Sequence, residues 1–293
     1  MHDAPVVDVV IPTIGRASVV RAASTAVTQS IPTRVTVVLD RQSEYDNVTA
    51  MLADIPCRIL CTKGGEGGSA ARNLGLADAS APWVAFLDDD DWWDSTHLEG
   101  RLAAATAIAG HRPDLVLGRF VFELPSGGSR VVPDTAPAGR DQAVARYIVT
   151  RDRFRFGRNA VQTSGIVVNR ELAQDVRWSN ELRKHQDWDL VLRLLDRTGG
   201  EFAWDERASA HVAKGSASSV SRVPDWRHSL DWFTTYQSRI PGRAGADFLT
   251  VHVLRAALAS RSFDGVRSYL VALRAAPHAA ALAVGLSGIV KRG

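Results

Sequence analysis

Four carboxylates in a row, Asp88-Asp89-Asp90-Asp91, follow the apolar run Trp83-Val84-Ala85-Phe86-Leu87 and precede two indoles, Trp92 and Trp93. Adjacent carboxylates repel one another and are costly to bury unpaired. They make sense where a strand buried on both faces emerges at the rim of a cleft and a divalent cation absorbs the charge. Alternate residues of an extended chain project to one side, which puts Asp88 and Asp90 together. Hard oxygen donors of this kind suit Mg²⁺ or Mn²⁺. The competing reading is a solvated acidic turn, with Asp94 or Ser95 capping the next helix. Asp187 opens the amphipathic run Asp187 to Leu195. An acid at that place is favoured by the helix dipole.

The elements around these residues alternate. Val6 to Ile11 reads as a strand and Ala17 to Gln29 as a helix, broken by Ile31-Pro32. Arg34 to Leu39 is a second strand ending in Asp40, Glu44 to Ala53 a helix, and Cys57 to Cys61 a third strand with its cysteines in the core. The loop Lys63-Gly64-Gly65-Glu66-Gly67-Gly68 leads to a helix from Ser69, with that serine at or near its N-cap, and then to the Trp83 strand. Strands and helices in this alternation predict an α/β fold with a mostly parallel sheet flanked by helices. Ligands bind beyond the carboxyl ends of such strands. Thr13, Asp40, the glycine loop and Asp88 to Asp91 all fall there.

Further on, Leu115 to Leu124, Thr163 to Val168, Glu201 to Trp204 and Arg207 to Val212 read as strands. Lys214 to Ser219 reads as a mobile loop over the site. From Asp225 the chain becomes alanine-rich and helical, which predicts a domain over 1–222 and a helical appendage over 223–293.

A chain of 293 residues, 45% hydrophobic and 23% charged, is ordinary for a globular protein. A net charge of +3 is too mild to argue for nucleic acid, and no helix-turn-helix or zinc-finger pattern is present. Two cysteines, Cys57 and Cys61, make no disulfide framework and agree with a reducing cytoplasm. The start, Met1-His2-Asp3-Ala4-Pro5, lacks the basic and apolar regions of a secretory signal. The longest uncharged stretch, Ala275 to Val290, falls short of the roughly 20 residues that span a bilayer. With Arg274, Lys291 and Arg292 at its flanks it fits an interfacial helix, hence peripheral contact with a membrane.

Taken in order, five stretches resemble the family 2 glycosyltransferases, which have the nucleotide-sugar-binding GT-A fold. They are Val9-Val10-Ile11-Pro12-Thr13, Val37-Val38-Leu39-Asp40, Gly68 to Leu76, Phe86 to Trp92 and Gln186 to Leu194. The resemblance covers roughly residues 6 to 220 and implies an inverting, metal-dependent transfer of one sugar from a nucleotide-diphosphate sugar, a UDP-sugar above all. It implies roles by position. Asp187 would be the general base, and Pro12, Thr13, Asp40, Ser69, Arg72, Asp88, Asp89 and Lys214 would bind the donor, with Asp40 at the nucleobase. Asp90 and His211 would hold Mn²⁺ or Mg²⁺, and Trp188 and Ser164 would meet the acceptor, whether glycan, lipid-linked or small molecule. On the residues alone, Asp40 also has a reading as an Asx-turn residue, and His211 reads equally as a satisfied core histidine.

Departures from the family pattern are visible. Leu39-Asp40-Arg41-Gln42 has one acid where two are usual, Gln186 stands where Glu is usual, and the Gln-x-x-Arg-Trp pattern of processive synthases is absent. Two other readings share some of these features. One is a sugar-phosphate nucleotidyltransferase, for which Ile14-Gly15-Arg16 is a short loop; the other is a non-catalytic relative that binds sugars or a partner.

Overall fold

Val7–Thr13 (β1) is buried along its whole length and forms an interior strand of a sheet in the computed structural model. The structure describes residues 6–107, 113–125, 127–137, 142–154, 161–213 and 224–289. Around β1, Val19–Val27 (α1), Thr33–Leu39 (β2), Tyr45–Met51 (α2), Cys57–Cys61 (β3), Gly68–Asp78 (α3) and Trp83–Phe86 (β4) follow in the predicted alternation. β1 pairs in parallel with β2 and β4, and β2 with β3. The one acid in β1, Asp8, lies at its amino end, where it pairs with Arg34 at 2.6 Å and accepts the Ser80 and Ala81 amides. α3 lies so close to β1 and β2 that a Cβ on Gly75 would be 2.4 Å from a Val10 methyl. The two cysteines are half-buried on the edge strand β3 rather than in the core.

Trp92–Trp93 (β5), His97–Thr106 (α4), Leu115–Gly118 (β6), Phe120–Glu123 (β7) and Ser129–Val132 (β8) come next. The single strand expected over Leu115 to Leu124 is thus two, in different sheets. Gln142–Val149 (α5), Val167–Asn169 (β9), Arg170–Val176 (α6), Gln186–Arg197 (α7), Ala203–Asp205 (β10) and Ala210–Ala213 (β11) complete the strands. The large sheet has the order β10-β6-β9-β4-β1-β2-β3, with β9 antiparallel to both neighbours; a second sheet runs β5-β11-β7-β8. Thr163–Gly165, expected as strand, is a 3₁₀ turn ahead of β9.

The chain divides into two units: Met1–Val132, Val161–Glu181 and Gln186–Ala217; and Pro133–Ala160, Leu182–His185 and Ser218–Gly293. A single boundary at 222/223 therefore leaves out two earlier stretches that belong with the helical unit. That unit holds α5, Trp226–Tyr236 (α8), Gly242–Phe248 (α9), Arg255–Ala259 (α10), Phe263–Ala272 (α11) and Ala279–Leu286 (α12). Leu249–Leu254 joins α9 to α10 as a π-helical segment, making one central helix. The His185 ring packs into this unit against Trp232, Phe248 and His252.

Candidate functional site

Every predicted donor-side residue among those described belongs to the first unit, and Thr13, Asp40 and Asp88 stand at the carboxyl ends of β1, β2 and β4. Pro12 lies two residues beyond the last β1–β4 pair, Val10 with Phe86. The four acids divide into two buried and two partly exposed. Asp89 and Asp91 are 1% and 3% exposed, whereas the Asp88 and Asp90 side chains are 32% and 22% exposed.

Asp91 staples the loop. Ser164 donates its hydroxyl to Asp91 Oδ2 at 2.6 Å and accepts the Asp88 amide at 3.1 Å, while the Ala213 amide donates to Asp91 Oδ1 at 2.9 Å. Burial, then the neighbouring Asp88, pushes the Asp91 carboxyl well above the usual range. Asp89 accepts the Thr13 hydroxyl at 2.6 Å and Arg16 Nε at 3.1 Å. Its burial pushes it up to about 6 against the pull of those donors. Arg16 also reaches Asp90 Oδ2 at 3.1 Å, so one guanidinium spans two members of the run. Arg21 lies 3.4 Å over the Trp92 ring.

Arg72 forms the other wall. Only 7% exposed, it ion-pairs with Asp88, donates to Gln186 Oε1 at 3.3 Å and lies 4.6 Å over Trp178. Next to it, Asn73 clamps the Trp178 backbone, donating to its carbonyl at 2.8 Å and accepting its amide at 2.9 Å. Asp187 begins α7 beside Gln186 and accepts the Trp188 amide at 2.9 Å. Burial, and to a smaller extent Asp88, pushes its carboxyl up to about 6 against the Trp188 amide and Arg72. A carboxyl so placed takes up and releases a proton near neutrality, as a general base must. Ser69 Oγ and Arg72 Nε are buried with no hydrogen-bond partner among the described residues, which leaves donors for a ligand. The N-cap is Gly67, at φ 90°, two residues ahead of Ser69.

Three expectations need correction. Asp40 faces its own loop, accepting the Thr62 hydroxyl, the Glu66 amide at 2.9 Å and the Gly67 amide at 2.7 Å. Its carboxylate shapes the glycine loop, as the Asx-turn reading had it. Ser164 is fully buried with its hydroxyl committed to the acidic loop, so it presents nothing to an acceptor. His211 has both ring nitrogens at carboxylates, Glu123 at 2.8 Å and Asp94 at 3.1 Å, and stacks on Trp92. It does not join Asp90 in a ligand group. Trp188 is half-buried at the start of α7. Lys214 lies outside the described residues.

Sequence reasoning passed over Arg16, Arg21, Asn73 and Trp178. The available signal was charge balance, since four acids need more positive charge than one divalent ion supplies. For the metal, no three His, Cys, Asp or Glu side chains among the described residues are grouped to hold an ion unaided. The donor chemistry still fits, because Mg²⁺ is commonly held by one or two carboxylates together with substrate phosphates and water. Asp90, partly exposed at the rim, offers such a carboxylate.

A family profile described as "Glycosyl transferase family 2" matches residues 8–176. The amylovoran biosynthesis glycosyltransferase AmsB of Erwinia amylovora is 31% identical over 46% of this chain and 43% of its own. The succinoglycan biosynthesis protein ExoO of Rhizobium meliloti is 30% identical over 70% of this chain and 60% of its own. The chain thus spans about half the length of these curated relatives. In fold it is similar to S. aureus TarS 1-349 crystallised with UDP-GlcNAc, at TM-score 0.64 and 16% identity over 91% of this chain and 79% of that one. The mannosyltransferase PcManGT from Pyrobaculum calidifontis, in complex with GDP-Man and Mn²⁺, aligns at TM-score 0.52 and 14% identity over 99% of this chain and 75% of that one.

Proposed function

The chain belongs to glycosyl transferase family 2, and on that premise we propose that it transfers one sugar from a nucleoside-diphosphate sugar to an acceptor hydroxyl, with inversion. The observation that carries this reading is the Arg72 bridge. One buried guanidinium reaches both Asp88 on the acidic rim and Gln186, the neighbour of Asp187. Asp187 takes the proton of the acceptor hydroxyl as its oxygen attacks the anomeric carbon. The new carbon–oxygen bond forms as the bond to the diphosphate breaks, and the electron pair leaves with the nucleoside diphosphate. Arg72 and Ser69, whose buried Nε and hydroxyl have no hydrogen-bond partner among the described residues, would donate to that leaving group. Asp90 would hold Mg²⁺ or Mn²⁺, which supplies positive charge to the diphosphate when bound. Trp188 offers a ring to the acceptor. UDP is the favoured nucleotide, as in the UDP-GlcNAc complex of TarS. The acceptor is a growing or lipid-linked glycan rather than a small molecule, in keeping with the polysaccharide-biosynthesis names of the curated relatives. A cytoplasmic location accords with the free thiols Cys57 and Cys61.

Calorimetry with UDP, GDP, dTDP, CDP and ADP, each with Mn²⁺, Mg²⁺ or EDTA, tests the donor site. One diphosphate is expected to bind with metal, and Asp90→Ala to weaken it by about tenfold or more. If none bound under any condition, the transferase reading would fall.

Arg16 gives a second prediction. Its guanidinium already sits on Asp89 and Asp90, so a divalent ion at Asp90 competes with it. Arg16→Gln is expected to tighten Mn²⁺ binding by about three- to tenfold in the absence of nucleotide, an effect of the size expected for a half-exposed ion pair. Unchanged or weaker binding would show that the guanidinium and the metal do not compete.

A further inference from the structure

The last two helices of the helical unit each leave large apolar side chains exposed. In α11 the exposed Phe263, Arg267, Leu270 and Val271, followed by Arg274, recur at the spacing of one helical stripe. Phe263, Leu270 and Val271 are 83%, 62% and 64% exposed. In α12 the outward positions are Ala279, Leu282, Ala283 and Leu286, extended by Ile289, with no polar side chain among them. The inward positions explain this inversion. A Cβ on Gly285 would stand 2.7 Å from Thr250, and one on Gly288 would stand 2.3 Å from the Arg255 carbonyl oxygen. The helix seats its smallest residues against the central helix and leaves its largest outside, the reverse of what a water-facing helix does.

Apart from the exposed Asp264 in the first turn of α11, the charge on this stretch has one sign. After Asp264 the sequence contains no Asp or Glu, while Arg267, Arg274, Lys291 and Arg292 are present. Among the described residues no helix is long and apolar enough to cross a membrane. We infer that α11 and α12 dock the protein on an anionic lipid surface. The leucines, Val271, Phe263 and Ile289 enter the boundary between headgroups and acyl chains, and the guanidinium groups meet lipid phosphates. A second copy of the same face would bring like charges together, which argues for lipid over self-association. This inference does not depend on the sugar-transfer reading.

The test is co-sedimentation of the full chain with vesicles of phosphatidylcholine, alone or with a third of the lipid replaced by phosphatidylglycerol. Binding to the anionic vesicles is expected, with about a tenfold loss at high salt and a similar loss in Arg267→Gln/Arg274→Gln. Leu282→Glu/Leu286→Glu and Leu270→Glu/Val271→Glu are each expected to reduce it by about tenfold or more. The same variants are checked for parental circular dichroism and nucleotide binding, so that misfolding or a failed donor site is recognised separately. No partition into either vesicle, or equal partition into both, overturns the inference. So does a dimer, seen by ultracentrifugation, that the same glutamate pairs dissociate, since the face would then belong to a second copy.

Discussion

Asp187→Asn is expected to bind the nucleotide-sugar donor as the parent does and to lose transfer by about a thousandfold. The substitution keeps the shape of the side chain and an oxygen to accept the Trp188 amide at the start of α7. It removes only the capacity to take a proton. The parent is expected to show an acid limb in kcat/KM near the carboxyl's raised value of about 6. The working form of a base is the deprotonated one, so the rate rises with pH, by about tenfold between pH 5 and 7 for a single group of that pKa. The residual activity of the variant should lack this limb. A variant with parental turnover would remove Asp187 from the chemistry.

Stability gives an independent readout with the opposite sign. A carboxyl whose folded pKa is raised binds its proton more tightly in the native chain than in the unfolded one. Between the unfolded value, about 3.9, and the folded value of about 6, rising pH therefore lowers stability through this group. At neutral pH the parent carries a charge that its surroundings disfavour, and the neutral amide does not. Asp187→Asn should then melt no lower than the parent at pH 7 while losing transfer. A residue kept only for its place at a helix N-terminus would instead lose stability on substitution.

The large sheet was legible because its signals are local. β1, β2 and β4 are short and mostly apolar towards their carboxyl ends, where Thr13, Asp40 and Asp88 stand, and such runs have few alternatives in an alternating chain. The rim of Thr13 and Asp88 to Asp91 was read from the same strand ends, whereas Arg72, on α3, came from the family resemblance. What did not show was how the polar side chains divide their hydrogen bonds. Asp40 and Ser164 are of the right type in the right place, yet their partners come from residues up to 76 positions away, the separation of Ser164 from the Asp88 amide. No spacing rule says that Ser164 turns its hydroxyl to Asp91 rather than to a ligand. The break of the Leu115 to Leu124 run into β6 and β7 was hidden for the same reason, because its cause lies on α4 and β10.

That cause is Arg101, and its removal is expected to be the most destabilising single change in the first unit. Arg101 is wholly buried on α4. Its Nη2 donates to the Arg119 carbonyl at 2.9 Å and its Nη1 to the Leu117 carbonyl at 3.4 Å, with Asp205 Oδ2 3.5 Å away. The guanidinium therefore sits where the chain leaves β6 and enters β7, beside the end of β10. It passes so close to Gly118 that a Cβ there would lie 1.6 Å from Nη1. Burial lowers the Arg101 pKa to about 10, against the attraction of Asp205, so the group stays charged at neutral pH. Arg101→Ala deletes the charge, orphans buried carbonyls and leaves Asp205 paired with the half-exposed Arg207. Breaking a buried pair from one side costs about 3–5 kcal/mol, which urea denaturation would read as a lowered midpoint. Arg101→Lys keeps the charge but lacks the planar fork that serves several acceptors at once. It should fall between parent and alanine if charge and fork both matter, and match alanine if the fork carries the effect. An alanine variant within about 1 kcal/mol of the parent, the ordinary scale of a single substitution, would show that the two sheets are joined by something other than this guanidinium.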